Sequence, residues 1–164
     1  MKLKITFLLL LVTTFFYSCS DDDDVTPTSD IVGEWTLVSL EYSGISSTEY
    51  SGQTYELSYK GTGTDMDYTT EFKDDNTYSS GGSYTILLET EGAPDTEWTN
   101  PGFFGSGSFE INGNTMTVEA EGMEGEQTAN IVELDDHNLE LNLTGRVNLS
   151  YAWTDINITF KYTR

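Results

Sequence analysis

The chain has little of what most active sites are built from. Its 164 residues include one cysteine, one histidine and three prolines, and seven lysines and arginines stand against 28 aspartates and glutamates. A single cysteine excludes an internal disulfide, so no covalent staple holds the fold. No stretch places its apolar residues at helical intervals, and alanine is scarce, which argues against a helical domain. The longest unbroken apolar and hydroxyl run, residues 5–17, is too short for a comfortable bilayer span, which takes about 20 apolar residues. The shortage of basic residues argues against binding phosphate backbones, so nucleic acid is not an expected partner. It also makes the protein surface a poor match for anionic membranes.

The lone histidine, His137, sits in the acidic turn Asp135-Asp136-His137-Asn138. A metal site or a general base needs partners fixed around such a group, and no serine, histidine and acid set can be singled out among so many acids. Asp65-x-Asp67 and Asp74-Asp75-Asn76 present oxygens of the kind calcium takes, but neither has the length or glycine placement of an EF-hand loop. Solvated acidic turns account for both. No strand-end pair of carboxylates stands out for glycoside hydrolysis. The expectation is a protein that is not an enzyme, with no catalytic residue, no cofactor and no metal.

What is present starts at the N-terminus. Lys2 and Lys4 precede the 5–17 run, and Ser18 follows it, the layout of a secretory signal peptide. Cys19 comes next, and an unpaired cysteine in an exported chain needs a reason. Its place resembles the lipobox of bacterial lipoproteins, which implies a signal peptide over residues 1–18, cleavage before Cys19 and diacylglycerol on its thiol. Stable anchoring takes two or more acyl chains, which such a cysteine carries. Ser20, Asp21, Asp22, Asp23 and Asp24 resemble the lipoprotein export signal of Bacteroidota, which implies the outer face of the outer membrane. The same run is a self-repelling solvated spacer, and the two readings are compatible. Loss of Lys2 and Lys4 would leave five basic residues against 28 acidic ones, a net charge of −23. Residues 19–30 read as a lipidated, acidic, flexible tether that lifts a single domain, residues 31–164, off the membrane.

From Ile31 onward the texture changes to alternation with a period of two, the mark of half-buried strands. Tyr55, Leu57 and Tyr59 alternate with polar residues, as do Met116, Val118 and Ala120, and Leu139, Leu141 and Leu143. Val147, Leu149, Tyr151 and Trp153 read as another face, and Ile156, Ile158, Phe160 and Tyr162 as one more. The phase slips at Thr154-Asp155, which calls for a tight turn or a bulge there. Asp74-Asp75-Asn76, Asn112-Gly113-Asn114 and the turn at His137 punctuate the runs. Many short strands joined by tight turns indicate an all-β, antiparallel, up-and-down sheet. Such a sheet hides its edges by closing into a barrel or pairing as a sandwich, and the barrel is favoured.

Ile31-Val32-Gly33-Glu34-Trp35-Thr36-Leu37 opens the folded part with a Gly-x-Trp that resembles the first motif of lipocalins. Phe72-Lys73-Asp74-Asp75-Asn76-Thr77-Tyr78, with Gly81-Gly82-Ser83-Tyr84 after it, resembles the central hairpin of lipocalin-like lipoproteins of Bacteroidota. The resemblance implies a barrel of about eight strands with room for one small apolar ligand. It also implies that Trp35 plugs the barrel base, covered by a basic side chain late in the chain, either Lys161 or Arg164.

Residues 89–104 break the rhythm of tight turns. They carry Pro94, Trp98, Pro101, Phe103 and Phe104 and read as one long connection. Connections beyond about 12 residues in compact domains tend to be functional or disordered, and aromatics argue against disorder. Trp98, Phe103 and Phe104 are therefore the ligand-binding candidates, with packing into the core as the alternative role for their rings. Two functions remain open at this point. One is a lipoprotein binding a small apolar or neutral ligand. The other is a cell-surface module with a filled barrel, contacting a protein or a glycan through its many tyrosines. Cys19→Ala should abolish acyl labelling and yield soluble protein or unprocessed precursor. Labelling that persists in this variant would overturn lipidation at Cys19.

Overall fold

A segment with one apolar face and a row of backbone donors and acceptors on each edge can satisfy both only by pairing with its like. The computed structural model describes residues 31–99, 105–121, 126–149 and 152–164, the side chains of 147–149 excepted. The expectations for Cys19, Ser20, Asp21, Asp22, Asp23, Asp24, Phe103 and Phe104 lie outside the described residues. Among the described residues nine strands follow in order: β1 (Gly33–Tyr50), β2 (Gln53–Phe72), β3 (Thr77–Thr90), β4 (Thr96–Thr99), β5 (Ser106–Asn112), β6 (Thr115–Ala120), β7 (Gln127–Leu134), β8 (Asn138–Leu149) and β9 (Ala152–Thr163). They form one antiparallel sheet in the order β2-β1-β9-β8-β7-β6-β5-β3-β4. β2 also pairs with β3, so the sheet closes into a ring. β4 and β5 share one edge of β3, through Ile86↔Trp98 and Tyr78↔Gly107, and together fill a single place in the ring.

Register shifts in β1 and β2 keep the apolar residues facing inward along strands this long. In β1 the register against β9 slips between Leu37 and Ser39, so Trp35, Leu37 and Leu40 are all buried while Val38 is exposed. In β2 the slip lies between Thr64 and Asp67, where Asp65 adopts φ 48°. Gly61 and Gly63 are buried before it, and Tyr68, Thr70 and Phe72 after it.

Two expectations need correction. The run Val147, Leu149, Tyr151 and Trp153 is not one strand: Val147 and Leu149 belong to β8 and Trp153 to β9, and Tyr151 lies outside the described residues. β8 ends at Leu149 and β9 begins at Ala152, with Leu149 opposite Ala152. Across this hairpin odd positions pair with even ones, Leu143 with Ile158 and Leu141 with Phe160, and all four side chains are buried. That parity produces the phase slip, so no turn or bulge occurs at Thr154-Asp155. Thr154 is fully buried, and Trp153 faces out beneath the Arg146 guanidinium, 5.3 Å from the ring centroid.

The second correction concerns the expected connection 89–104, whose described residues 89–99 are not all loop. Glu89 and Thr90 end β3, the chain turns, and β4 returns along β3 with Leu88 opposite Thr96 and Leu87 opposite Glu97. Main-chain pairing satisfies backbone groups that a free loop would leave to water.

One end of the ring is filled. Trp35 is fully buried and its Nε1–H donates to the Ile31 carbonyl at 2.7 Å. The Arg164 guanidinium lies over the indole, 4.3 Å from the ring centroid. Arg164 also donates from Nη1 to the Val32 carbonyl at 3.0 Å and from Nε to the Asp136 carbonyl at 2.8 Å. Of the two basic candidates, Arg164 thus covers Trp35, while Lys161 faces outward, 3.0 Å from Glu140. Phe72 meets Phe109 edge to face at 5.1 Å, and the gap left among Phe72, Met116, Leu141 and Tyr162 is about 20 Å³. Trp35→Ala removes a large buried ring and a buried hydrogen bond, and should cost about 3–5 kcal/mol of folding stability in denaturant titration. Arg164→Ala loses a cation–π contact that is partly solvated and should cost about 1 kcal/mol. A Trp35→Ala variant with the parent's midpoint would refute the packing role.

Candidate functional site

The inner face changes character along the strands. Toward the Trp35 end, Leu37, Leu40, Tyr84, Phe160 and Tyr162 are buried. Toward the other end, the same faces continue through half-buried Tyr42, Tyr59, Leu88 and Ile156. Here β1, β2, β3 and β9 extend further than β5, β6 and β7, because they are simply longer. Between these long strands lies a cavity of about 530 Å³. β1 supplies Leu40 and Tyr42, β2 supplies Leu57 and Tyr59, β3 supplies Tyr84 through Thr90 at alternate positions, β4 supplies Trp98, and β9 supplies Ile156, Ile158 and Phe160.

The cavity stays open because of where two glycines fall. Tyr42 pairs with Gly61 and Gly44 pairs with Tyr59, so each tyrosine faces a glycine across the ladder. A Cβ on Gly44 would overlap the Tyr59 ring, and one on Gly61 would stand 2.9 Å from Ile86 Cγ2 and 3.4 Å from Tyr42 Cδ1. The rings therefore lie down on the strands instead of standing into the interior. They stack on each other, with centroids 5.4 Å apart and an interplanar angle of 29°. The Tyr42 hydroxyl donates to Tyr59 Oη over a long 3.4 Å. Burial and that bond hold the Tyr42 hydroxyl above the usual tyrosine range, so it stays neutral.

The sequence-derived candidates separate in space. Trp98 sits at the cavity wall, opposite Ile86, and is 60 % exposed, so its ring is a rim and not core. Trp35 lies at the filled end. Sequence reading missed Tyr42, Tyr59 and the aliphatic side chains facing them. A signal was there: Tyr42-x-Gly44 and Tyr59-x-Gly61 repeat the same spacing on adjacent strands, and antiparallel pairing sets each tyrosine against the other strand's glycine.

The acidic turns are used locally. Asp75 Oδ1 accepts from the Thr77 backbone N–H at 3.0 Å and from the Thr77 hydroxyl at 2.5 Å. Asp135 Oδ1 accepts from the backbone N–H groups of His137 at 2.7 Å and Asn138 at 2.8 Å. Among the described residues no group of three or more histidine, cysteine, aspartate or glutamate side chains could hold a metal. No family model, curated protein or solved structure matches the chain.

The hydrogen bonds from His137 and Asn138 hold the Asp135 carboxyl below its ordinary value. A depressed folded-state pKa stabilises the fold above the unfolded value of 3.8, and the benefit fades as pH falls through the lower folded value. Asp135→Ala should therefore melt below the parent at neutral pH. The gap should narrow as the pH drops through and below the carboxylate range. A gap that stays constant with pH would show that this carboxylate's ionisation does not stabilise the turn.

Proposed function

We propose that this chain is a surface-anchored lipoprotein whose folded part is a lipocalin-like β-barrel holding a small apolar or neutral ligand. The single observation that carries the reading is the cavity of about 530 Å³ walled by aliphatic and aromatic side chains. Small-molecule sites are concave, largely apolar spaces of roughly 300–1,000 Å³ with a few polar groups for orientation. The closed antiparallel ring and the Trp35–Arg164 stack at its filled end agree with the lipocalin resemblance. The anchor in this proposal is lipid on Cys19, followed by the acidic stretch Ser20, Asp21, Asp22, Asp23 and Asp24 as export signal. The acids beside the rim, Asp95 and Glu97, favour neutral or cationic ligands over anions.

A second reading has its own observation. The β1–β2 hairpin continues past its last pairing with β9, Ser47↔Trp153, to Tyr50↔Gln53. This projecting tip exposes Tyr50 and Tyr55. Such rings suit contact with a protein or glycan at the cell surface.

N-phenyl-1-naphthylamine, a neutral apolar fluorophore, tests the cavity reading. The parent chain should bind it with enhanced emission. Trp98→Ala should weaken binding roughly tenfold through the lost aromatic face, with the melting temperature nearly unchanged. No uptake by the folded parent would overturn the cavity reading and leave the hairpin surface.

A further inference from the structure

The interior of the cavity is short of hydrogen-bonding groups, which makes the few present informative. Among its lining residues there is no lysine, arginine or histidine, and no carboxylate. An anion entering would lose its hydration with no counter-charge in return, and a cation would find no carboxylate inside. An uncharged polar group is different, because a single fixed partner can replace the water it leaves. Tyr42 spends its proton on Tyr59. A hydroxyl can donate once while accepting, so the Tyr59 O–H remains able to donate. Tyr59 is one of the lining residues, and its cross-strand neighbour Thr90 lines the same space.

The ring is also held in place. Tyr59 rests on Gly44 from one side and stacks on Tyr42 from the other. A donor held in a fixed position loses little freedom when it bonds, which gives it selective value. From this geometry we infer that Tyr59 is the specificity-determining donor of the cavity, and that the ligand is an apolar molecule carrying one uncharged acceptor, such as a ketone or ester carbonyl. The inference rests on the ligand-binding reading above and narrows it. A site of this kind discriminates between molecules of equal apolar bulk by the presence of the acceptor.

Two flat molecules of the same skeleton make the test: fluorene, a hydrocarbon, and fluorenone, which adds a carbonyl. Both are titrated into the full chain and its variants with tryptophan fluorescence as readout. Tyr59→Phe keeps the ring, the stack and the glycine contact while removing the donor. It should weaken fluorenone binding about fivefold to tenfold and leave fluorene within about twofold, in line with one hydrogen bond. Tyr42→Phe removes the proton given to Tyr59 but not the Tyr59 donor, so fluorenone binding should survive. If Tyr59→Phe affects both molecules equally, or neither, while fluorene still binds the parent, the donor role is overturned and the cavity reading stands. Loss of fluorenone binding in Tyr42→Phe alone would move the donor to Tyr42 and overturn the assignment. Failure of both molecules to bind the folded parent would overturn the inference together with the cavity reading.

Discussion

The whole arrangement depends on the joint between the first and last long strands. β1 is hydrogen-bonded along both edges, to β2 and to β9, and that double pairing converts a meander into a ring. Without it the outer edges of β1 and β9 would present rows of unpaired N–H and C=O groups to water or to another chain. A chain with one cysteine has no disulfide to secure such a joint, so packing does it. Trp35, at the start of β1, and Arg164, just past the end of β9, stack on each other, and Arg164 bonds carbonyls of Val32 and Asp136 on either side. These contacts tie three separate stretches of chain together at the end where the interior is filled.

From that joint the inside of the ring follows by side-chain size. Large residues at Trp35, Phe72, Phe109 and Tyr162 leave a residual gap of about 20 Å³ at one end. Toward the other end the strands outrun their shorter neighbours, and glycines at 44, 61 and 63 withhold bulk from the same faces. The tyrosines opposite two of these glycines fold down onto the sheet, and a cavity of about 530 Å³ remains. Filled base and open cup are thus two ends of one alternating pattern, differing in what occupies the inward positions.

Charge stays outside this scheme. The ion pairs of Lys73 with Glu71, Arg146 with Asp155 and Lys161 with Glu140 all lie on the outer surface. Exposed pairs of this kind contribute little to stability, so the large acidic excess acts on solubility and on the choice of partner and not on the fold. Two carboxylates do structural work nearby: Asp75 and Asp135 satisfy backbone N–H groups at strand reversals, where side-chain acceptors substitute for a missing ladder partner.

The sequence by itself determined the all-β class and several of the strands and reversals. Alternation with a period of two at Leu139, Leu141 and Leu143, and the turn residues at Asp135, Asn112 and Asp74, are local signals, and each became a strand or a reversal. The inward place of Trp35 was also legible, since a large ring at the start of an alternating run has an evident buried face. Tertiary structure alone decided the rest. The bulges at Leu37–Ser39 and Thr64–Asp67 shift which parity faces in, and nothing local marks them, because they answer to the register of a neighbouring strand. Residues 96–99 look like part of a loop until β3 offers an unpaired edge. The cavity belongs to the same class: it exists because Tyr42 meets Gly61 and Tyr59 meets Gly44 across a ladder, and a ladder's register is fixed by the closure of the ring as a whole.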